Sequence, residues 1–312
     1  MATTHKPVPT TKQNFRDTYQ EVTNAIIHAL EVGTIAWKCP WNQAGLPKNF
    51  ITDNHYRGWN SIWLNCLTNI KSYKTSYYLT YKQAQDLGGT IMKGEKGTHV
   101  IYWATIKGKT DATETEHTAE ETTKQYQKMV PKIYTVFNID QTEGIEFPNY
   151  EPQPKTELEK ITACEEIVES MPNCPKICYK GQDAYYRRST DTIVLPDLQS
   201  FNTNAEFYST LFHELAHSTG HESRLNRKEL TETDGFGNPN YAKEELTAEM
   251  TASFLNAVTG LQDTTFDNSA AYIENWLTAL RNDKTLIIRA AGQAQKAADY
   301  ILNVQHETGF DE

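Results

Sequence analysis

The stretch TLFHELAHSTGHESRLNR, residues 210–227, decides how this 312-residue chain is read. With Phe207 before it, the apolar residues Leu211, Phe212, Leu215 and Ala216 supply a buried helix. On an α-helix, side chains four apart share a face, so His213 and His217 can offer two imidazoles to one ion. Glu214 lies beside His213 and can reach a water on that ion. Zinc lowers the pKa of such a water toward neutrality, and a carboxylate can then take its proton. His213 and His217 are therefore candidate metal ligands and Glu214 the candidate catalytic base. Zinc is the expected ion, with another divalent metal as the alternative.

A third ligand is needed, and EELTAE at residues 244–249 lies in a second helical segment. Glutamate-type zincins use a glutamate there, a small residue three later and an acidic or amide residue four later. Glu245, Ala248 and Glu249 fit that spacing. Glu245 would bind the metal and Glu249 would orient a ligand histidine from behind. Glu244 and Glu249 can also be read as ordinary acidic residues on a solvated face. His221, four residues past His217, is a rival third ligand, although Gly220 should break the helix before it. The strand before the metal helix, Thr192 to Leu195 with Pro196 ending it, is expected as an edge strand beside the metal, where an extended peptide can pair.

Outward from this motif, composition sets limits. The N-terminal MATTHKPVPTTKQ lacks an apolar signal-peptide core, and no stretch approaches the ~20 apolar residues of a membrane span. Five scattered cysteines fit a reducing compartment, so a cytoplasmic protein without a membrane partner is expected. Cys174 and Cys178, a close pair with no second pair, read as structural or free thiols. The formal net charge of −10 argues against a general nucleic-acid binder. It hides an asymmetry: residues 1–109 hold 13 Lys/Arg against 6 Asp/Glu, and residues 151–312 hold 14 against 26. A basic front half and an acidic back half suggest two jobs in one chain.

The expected architecture is α+β in two domains, 1–150 and 151–312, joined at the proline-rich PNYEPQPKT of residues 148–156. Each half is expected to fold and work on its own. In the first, Phe15, Tyr19, Val22 and Ile26 predict a helix that Gly33 can end. A second helix carries Ile62, Trp63, Cys66, Leu67 and Ile70. A strand at Tyr77–Leu79, a helix at 80–87 and strands at 98–106 and 132–139 follow. Residues 110–128, polar and rich in Thr and Glu, read as a solvated insertion. The second half should open with a helix near 156–171 and a hairpin over 184–195. Four helices should follow, near 204–218, 241–258, 269–282 and 285–304.

The front half has the composition of a single-strand binder. Lys93 and Lys96 flank a glycine turn, and Tyr73, Tyr77, Tyr78, Tyr81, Tyr102 and Trp103 lie near it in sequence. Lysines supply phosphate contacts and aromatic faces supply stacking for unpaired bases. Lys48 and Arg57 are further candidate phosphate contacts, and Tyr56 and Trp41 further candidate stacking residues.

Several segments carry a resemblance. In the front half they are Trp37, Pro40 and Trp41; Gly45, Pro47 and Asn49; Tyr56, Gly58 and Asn60; LTYKQAQDLGG (79–89); MKGEKG (92–97); and VFNIDQTEG (136–144). In the back half they are DTIVLP (191–196), residues 210–227, EELTAEMTASFL (244–255) and YIENWL (272–277). Over about residues 10–305 the chain resembles the ArdC antirestriction family of conjugative plasmids, whose N-terminal domain also occurs in TraC-type primases. Cys39 departs from the pattern by standing where proline or a small residue is expected, and residues 110–128 look inserted. The resemblance implies single-stranded DNA binding by the first domain, a zincin fold in the second, and protection of incoming DNA from host restriction. A host protein or peptide substrate is a further expected partner. The competing readings are a cytoplasmic zinc metallopeptidase with the front half as an exosite, and a non-catalytic DNA-binding protein with a structural metal.

Overall fold

The computed structural model describes residues 18–41, 45–109, 125–147, 154–231, 239–261 and 270–304. The fold is α+β. Helix α1 (Thr18–Glu31) stops at Gly33, whose φ of 82° suits a residue without a side chain. Phe15, assigned to the same helix from its spacing, lies outside the described residues. A 3-10 turn (Ala36–Lys38) leads to β1 (Lys48–Asn49), α2 (Trp59–Ile70) and β2 (Tyr77–Thr80). Thr80 caps α3 (Tyr81–Asp86) by accepting the Gln83 backbone N–H at 3.2 Å, while the Gln83 side chain accepts the Thr80 N–H at 2.8 Å. Then come β3 (Thr90–Ile91), β4 (Thr98–Lys109), β5 (Gln125–Asn138) and β6 (Thr142–Glu143).

Strands β1, β2, β5 and β4 form one sheet in that order, with β1 parallel to β2 and the other pairs antiparallel. The β4–β5 arm is longer than its apolar content predicted. Residues 125–128, expected in a solvated insertion, belong to β5, and pairing runs out to Lys109 opposite Gln125. Backbone hydrogen bonds between the strands hold this arm and do not depend on apolar side chains. Residues 110–124 lie outside the described residues.

The back half begins with α4 (Glu157–Ser170), capped by Thr156, and a small sheet of β7 (Lys176–Tyr179), β8 (Tyr185–Arg187) and β9 (Thr192–Leu195). The sheet order is β7, β9, β8, so β9 is central and not the expected edge strand. It pairs in parallel with β7, a strand absent from the sequence expectation, and antiparallel with β8. Burial on both faces explains why Ile193, Val194 and Leu195 are all apolar. Helices α5 (Asn204–Thr219), α6 (Lys228–Thr231), α7 (Pro239–Thr259), α8 (Ala270–Asn282) and α9 (Leu286–Ile301) complete the chain.

Helix α7 is the centre of the molecule. Leu246, Ala248, Met250, Ala252, Phe254 and Leu255 are buried, and so are Thr247, Thr251 and Asn256. A helix buried on most sides has no single apolar stripe. Helices α5 and α9 flank it, and the alanines of α9, among them Ala291, Ala294 and Ala298, permit close approach.

One apolar core crosses from the front half into the back. It includes Val22, Ile26, Trp37 and Trp41 together with Phe254, Trp276, Leu280 and Ile287. Trp37 meets Trp276 edge-on at 5.1 Å, and Trp41 lies 6.1 Å from Phe254. Thr23 Oγ1 donates to the Lys284 carbonyl at 2.8 Å, and the Gly58 N–H donates to Gln295 Oε1 at 2.9 Å. The two halves, expected to fold and work on their own, share one packed core. The charge asymmetry concerns the surface, whereas Trp37 and Trp41 of the front half pack into the core of the back half. The expected division at residue 150 itself falls in 148–153, outside the described residues.

Candidate metal centre

Helix α5 starts where Thr203 Oγ1 accepts the Glu206 N–H at 3.1 Å. Its apolar residues Phe207, Leu211, Phe212 and Leu215 bury one side. That burial fixes His213 and His217 toward α7. The structure brings His213, His217 and Glu245 together, with one ligand atom from each lying within 4.8 Å of the others. The two Nε2 atoms are 3.1 Å apart, and the Glu245 oxygens lie 3.5 Å from His213 Nε2 and 3.4 Å from His217 Nε2. Tetrahedral bonds of ~2.0–2.2 Å to nitrogen and oxygen would set neighbouring donors roughly 3.3–3.6 Å apart. The donor set and its spacing therefore fit a small divalent ion. Burial disfavours charge on Glu245, but hydrogen bonds from both histidines outweigh it and hold the carboxyl well below the usual range.

Glu214, itself buried, joins His217, Glu244 and Glu245 in lining a cavity of about 320 Å³. Ala184, Tyr185 and Tyr186 line it as well. Two of these are in β8, so the strand beside the candidate site is β8 and not β9. Among the described residues β8 pairs on one side only, with β9. Tyr186 is fixed there by donating to Asp191 Oδ1 at 2.7 Å, and Arg224 pairs with the same carboxylate.

The groups behind the ligands differ from the sequence expectation. Glu244, read as a solvated surface acid, is buried and lies 3.2 Å from His217 Nδ1. Buried Arg227 pairs with it, donating from Nε to Oε2 at 2.9 Å and from Nη2 to the Ala216 carbonyl at 2.9 Å. Burial pushes the Glu244 carboxyl up, but its bonds from Arg227 and His217 prevail and hold it below the ordinary range. Burial likewise opposes charge on His217, and the bonds to Glu244 and Glu245 raise its pKa well above the usual value. Gly220 leaves room for this packing: a Cβ there would stand 2.8 Å from Leu230 Cδ2 and 3.0 Å from Arg227 Nη2, and both side-chain ends would have to shift. Glu249, expected behind a histidine, instead accepts the Trp37 Nε1–H at 3.0 Å, with Lys38 Nζ at 3.9 Å. Burial raises its carboxyl pKa against the pull of Lys38. His213 Nδ1 is buried without a hydrogen-bond partner among the described residues. His221 lies beyond the end of α5, with Nδ1 2.8 Å from Ser223 Oγ, and is outside the ligand cluster.

Comparison with known proteins places this arrangement. Residues 16–137 match the family model of the N-terminal domain of anti-restriction factor ArdC, and residues 163–293 match that of a zincin-like metallopeptidase. The uncharacterized protein y4eC of Sinorhizobium fredii is 33% identical over 307 residues, which is 97% of each chain. The metal-free crystal structure of the antirestriction protein ArdC from plasmid R388 superposes with a TM-score of 0.72 at 36% identity, covering 93% of this chain and 100% of that one. This chain belongs to the ArdC antirestriction family. The Mn(II)-bound structure of the R388 ArdC protein matches with a TM-score of 0.71 at 36% identity, over 92% of this chain and 98% of that one. Two DNA primases TraC of Escherichia coli are 32% and 34% identical across 91% of this chain, which spans only 20% and 27% of their own lengths.

In this ArdC-family chain the front-half candidates separate into two groups. Lys93 and Lys96 are exposed on a loop that Gln141 holds by donating to Glu95 Oε2 at 2.6 Å and to the Lys96 carbonyl at 3.1 Å. Tyr102 and Trp103 of β4 are 50% and 47% exposed. Tyr134 of β5, which the sequence reading missed, is 45% exposed and meets Tyr102 edge-on at 5.5 Å. Trp41 and Tyr56 are corrected. They are only 9% and 5% exposed, Trp41 donates to Ser253 Oγ at 3.1 Å, and Tyr56 packs with Leu64, Tyr78 and Val136. Neither offers a free ring face to a base. Lys48 is paired with Asp53 at 3.2 Å, and Arg57 with Asp299 of α9. The burial of Trp41 could have been suspected from the density of tryptophans in its segment, whereas Tyr134 shares the strand face of buried Val136, so alternation along β5 gave no signal of its exposure. Among the described residues no helix is long and apolar enough to cross a membrane.

Proposed function

We propose that this chain protects incoming DNA by binding it as a single strand on the front half, and that its back half holds a divalent ion, zinc foremost, on His213, His217 and Glu245. The convergence of those three side chains beside a cavity that also presents Glu214 carries the reading of the back half. The Mn(II)-bound form of the R388 protein supports a divalent metal. An ion held there would acidify a water and polarise a carbonyl. Glu214 is the base that receives a proton in the cavity, Glu244 fixes His217 from behind, and the edge of β8 that is unpaired among the described residues can align an extended peptide. Structural zinc usually has four protein ligands, so a set of three among the described residues favours an open, reactive site over a structural one.

For the front half, Lys93 and Lys96 supply phosphate contacts, and exposed Tyr102, Trp103 and Tyr134 supply stacking faces. A second reading, a cytoplasmic metallopeptidase that uses the front half as an exosite for a host protein, is favoured by one contact: Trp37 of the front half reaches Glu249, one turn past Glu245. Glu214→Ala separates the two. In a transfer assay with a restricting recipient, masking of the strand predicts that the folded, metal-loaded variant still protects. Complete loss of protection, with single-strand binding intact, would instead favour cleavage of a host factor.

A further inference from the structure

Cys39 and Cys66 lie outside both the metal cluster and the exposed lysine loop. Cys39 follows the 3-10 turn that carries Trp37, and Cys66 is fully buried in α2. Their Sγ atoms stand 2.7 Å apart. The backbone around Cys39 is anchored on α2 independently of the sulfurs. Asn65 Nδ2 donates to the Cys39 and Pro40 carbonyls at 3.3 and 3.2 Å, and Asn69 Nδ2 donates to the Pro40 carbonyl at 2.7 Å. The two sulfurs therefore face each other from fixed backbone, and bonding them needs an approach of less than about 1 Å.

We propose that Cys39 and Cys66 are a reversible dithiol–disulfide pair, oxidised by exchange with a small-molecule disulfide. The site is already assembled in the reduced chain, so oxidation locks an existing contact. Cys39 is only half-buried and is the sulfur a small reagent reaches first. The sulfur of Cys66 beside it holds the Cys39 thiol below its ordinary range in spite of burial, whereas the same contact and burial push Cys66 up. Cys39, as thiolate, attacks one sulfur of the reagent, and one thiolate leaves. Cys66 gives up its proton and attacks the Cys39 sulfur of the mixed disulfide, expelling the second thiolate. Two protein thiols are oxidised to one disulfide, and one reagent disulfide is reduced to two thiols. The bond ties α2 covalently to the loop whose Trp37 and Trp41 contact Glu249 and Ser253 of α7.

The test is exposure of the folded, reduced full-length chain to oxidised glutathione, followed by alkylation, digestion and peptide mass spectrometry. Cys39 and Cys66 should be recovered joined to each other, without retained glutathione, and dithiothreitol should restore both thiols. In Cys66→Ser, Cys39 should retain a glutathione, because nothing remains to displace it. The wild-type experiment decides the matter even if that variant fails to fold. A stable glutathione adduct on Cys39 of the wild-type chain, or full alkylation of both cysteines after oxidation, overturns the proposal.

Discussion

At His217, Nδ1 lies against Glu244, Glu244 is clamped by Arg227, and Nε2 faces His213 and Glu245. At Lys93 and Lys96 the side chains stand in solvent, and what is fixed is the loop beneath them, through Gln141. The two regions serve different chemistries. A small ion needs donors placed to a few tenths of an ångström, so its ligands must be held by burial and by partners of their own. A sequence-tolerant hold on a nucleic-acid strand needs charge and ring faces in reach, so mobile side chains on a fixed backbone suffice. Substitutions should therefore act on fold and metal in the first region and on salt-dependent affinity in the second.

The largest expected effect concerns the junction between the regions. Trp37 belongs to the core shared with Trp276 and also bonds Glu249, so Trp37→Ala should cost about 3–5 kcal/mol in urea unfolding. Fragments 1–150 and 151–312, made separately, should each lose the cooperative transition of the whole chain. A sharp transition of undiminished size in either fragment would break the shared-core account.

Next in size is the support behind His217. Glu244→Ala leaves buried Arg227 without its counter-charge and should destabilise the chain by about 3–5 kcal/mol. Glu244→Gln keeps the shape and some hydrogen bonding, and should mainly weaken metal binding, by about 10–100-fold in titration calorimetry. Unchanged metal affinity in the folded Gln variant would show that Glu244 is a packing residue only.

Smaller effects belong to the exposed surface. Replacing Lys93 and Lys96 together with Ala should make the salt dependence of single-strand binding shallower by about 1.4 in log–log slope, taking roughly 0.7 per phosphate contact. Tyr102→Ala should cost about 1–3 kcal/mol of binding if one base stacks there, with little change in unfolding. Loss of stability without loss of binding would return Tyr102 to a structural role. Trp41→Ala should do the reverse, because its ring lies in the core.

The same contrast explains what could be read in the sequence. His213, Glu214, His217 and Glu245 were legible because a helical site forces residue types into fixed spacings. Glu244 was misread because adjacent glutamates on a helix are distinguishable only by what packs against them, and Arg227 reaches Glu244 from a separate turn beyond Gly220. The longer elements, α1 to α5, α7 to α9 and the strands β2, β4, β5, β8 and β9, were legible from periodicity and turn residues, whereas the short β1, β3, β6, β7 and α6 were not. The position of β9 in its sheet was not, since the parallel partner β7 is a short strand without an alternating pattern. Trp41 and Tyr56 failed as DNA contacts because composition does not report burial, and the core that buries Trp41 comes from residues more than two hundred positions later.

The central claim is that one ion is held by two residues of α5 and one of α7. Metal content per chain, measured by mass spectrometry after equilibration with zinc and desalting, tests it most directly in four proteins: wild type, His217→Ala, Glu245→Ala and His221→Ala. Each variant must first be shown to be folded. The arrangement predicts one zinc per chain in wild type and in His221→Ala, and loss of stoichiometric zinc in His217→Ala and Glu245→Ala. Full zinc in Glu245→Ala together with its loss in His221→Ala would contradict it.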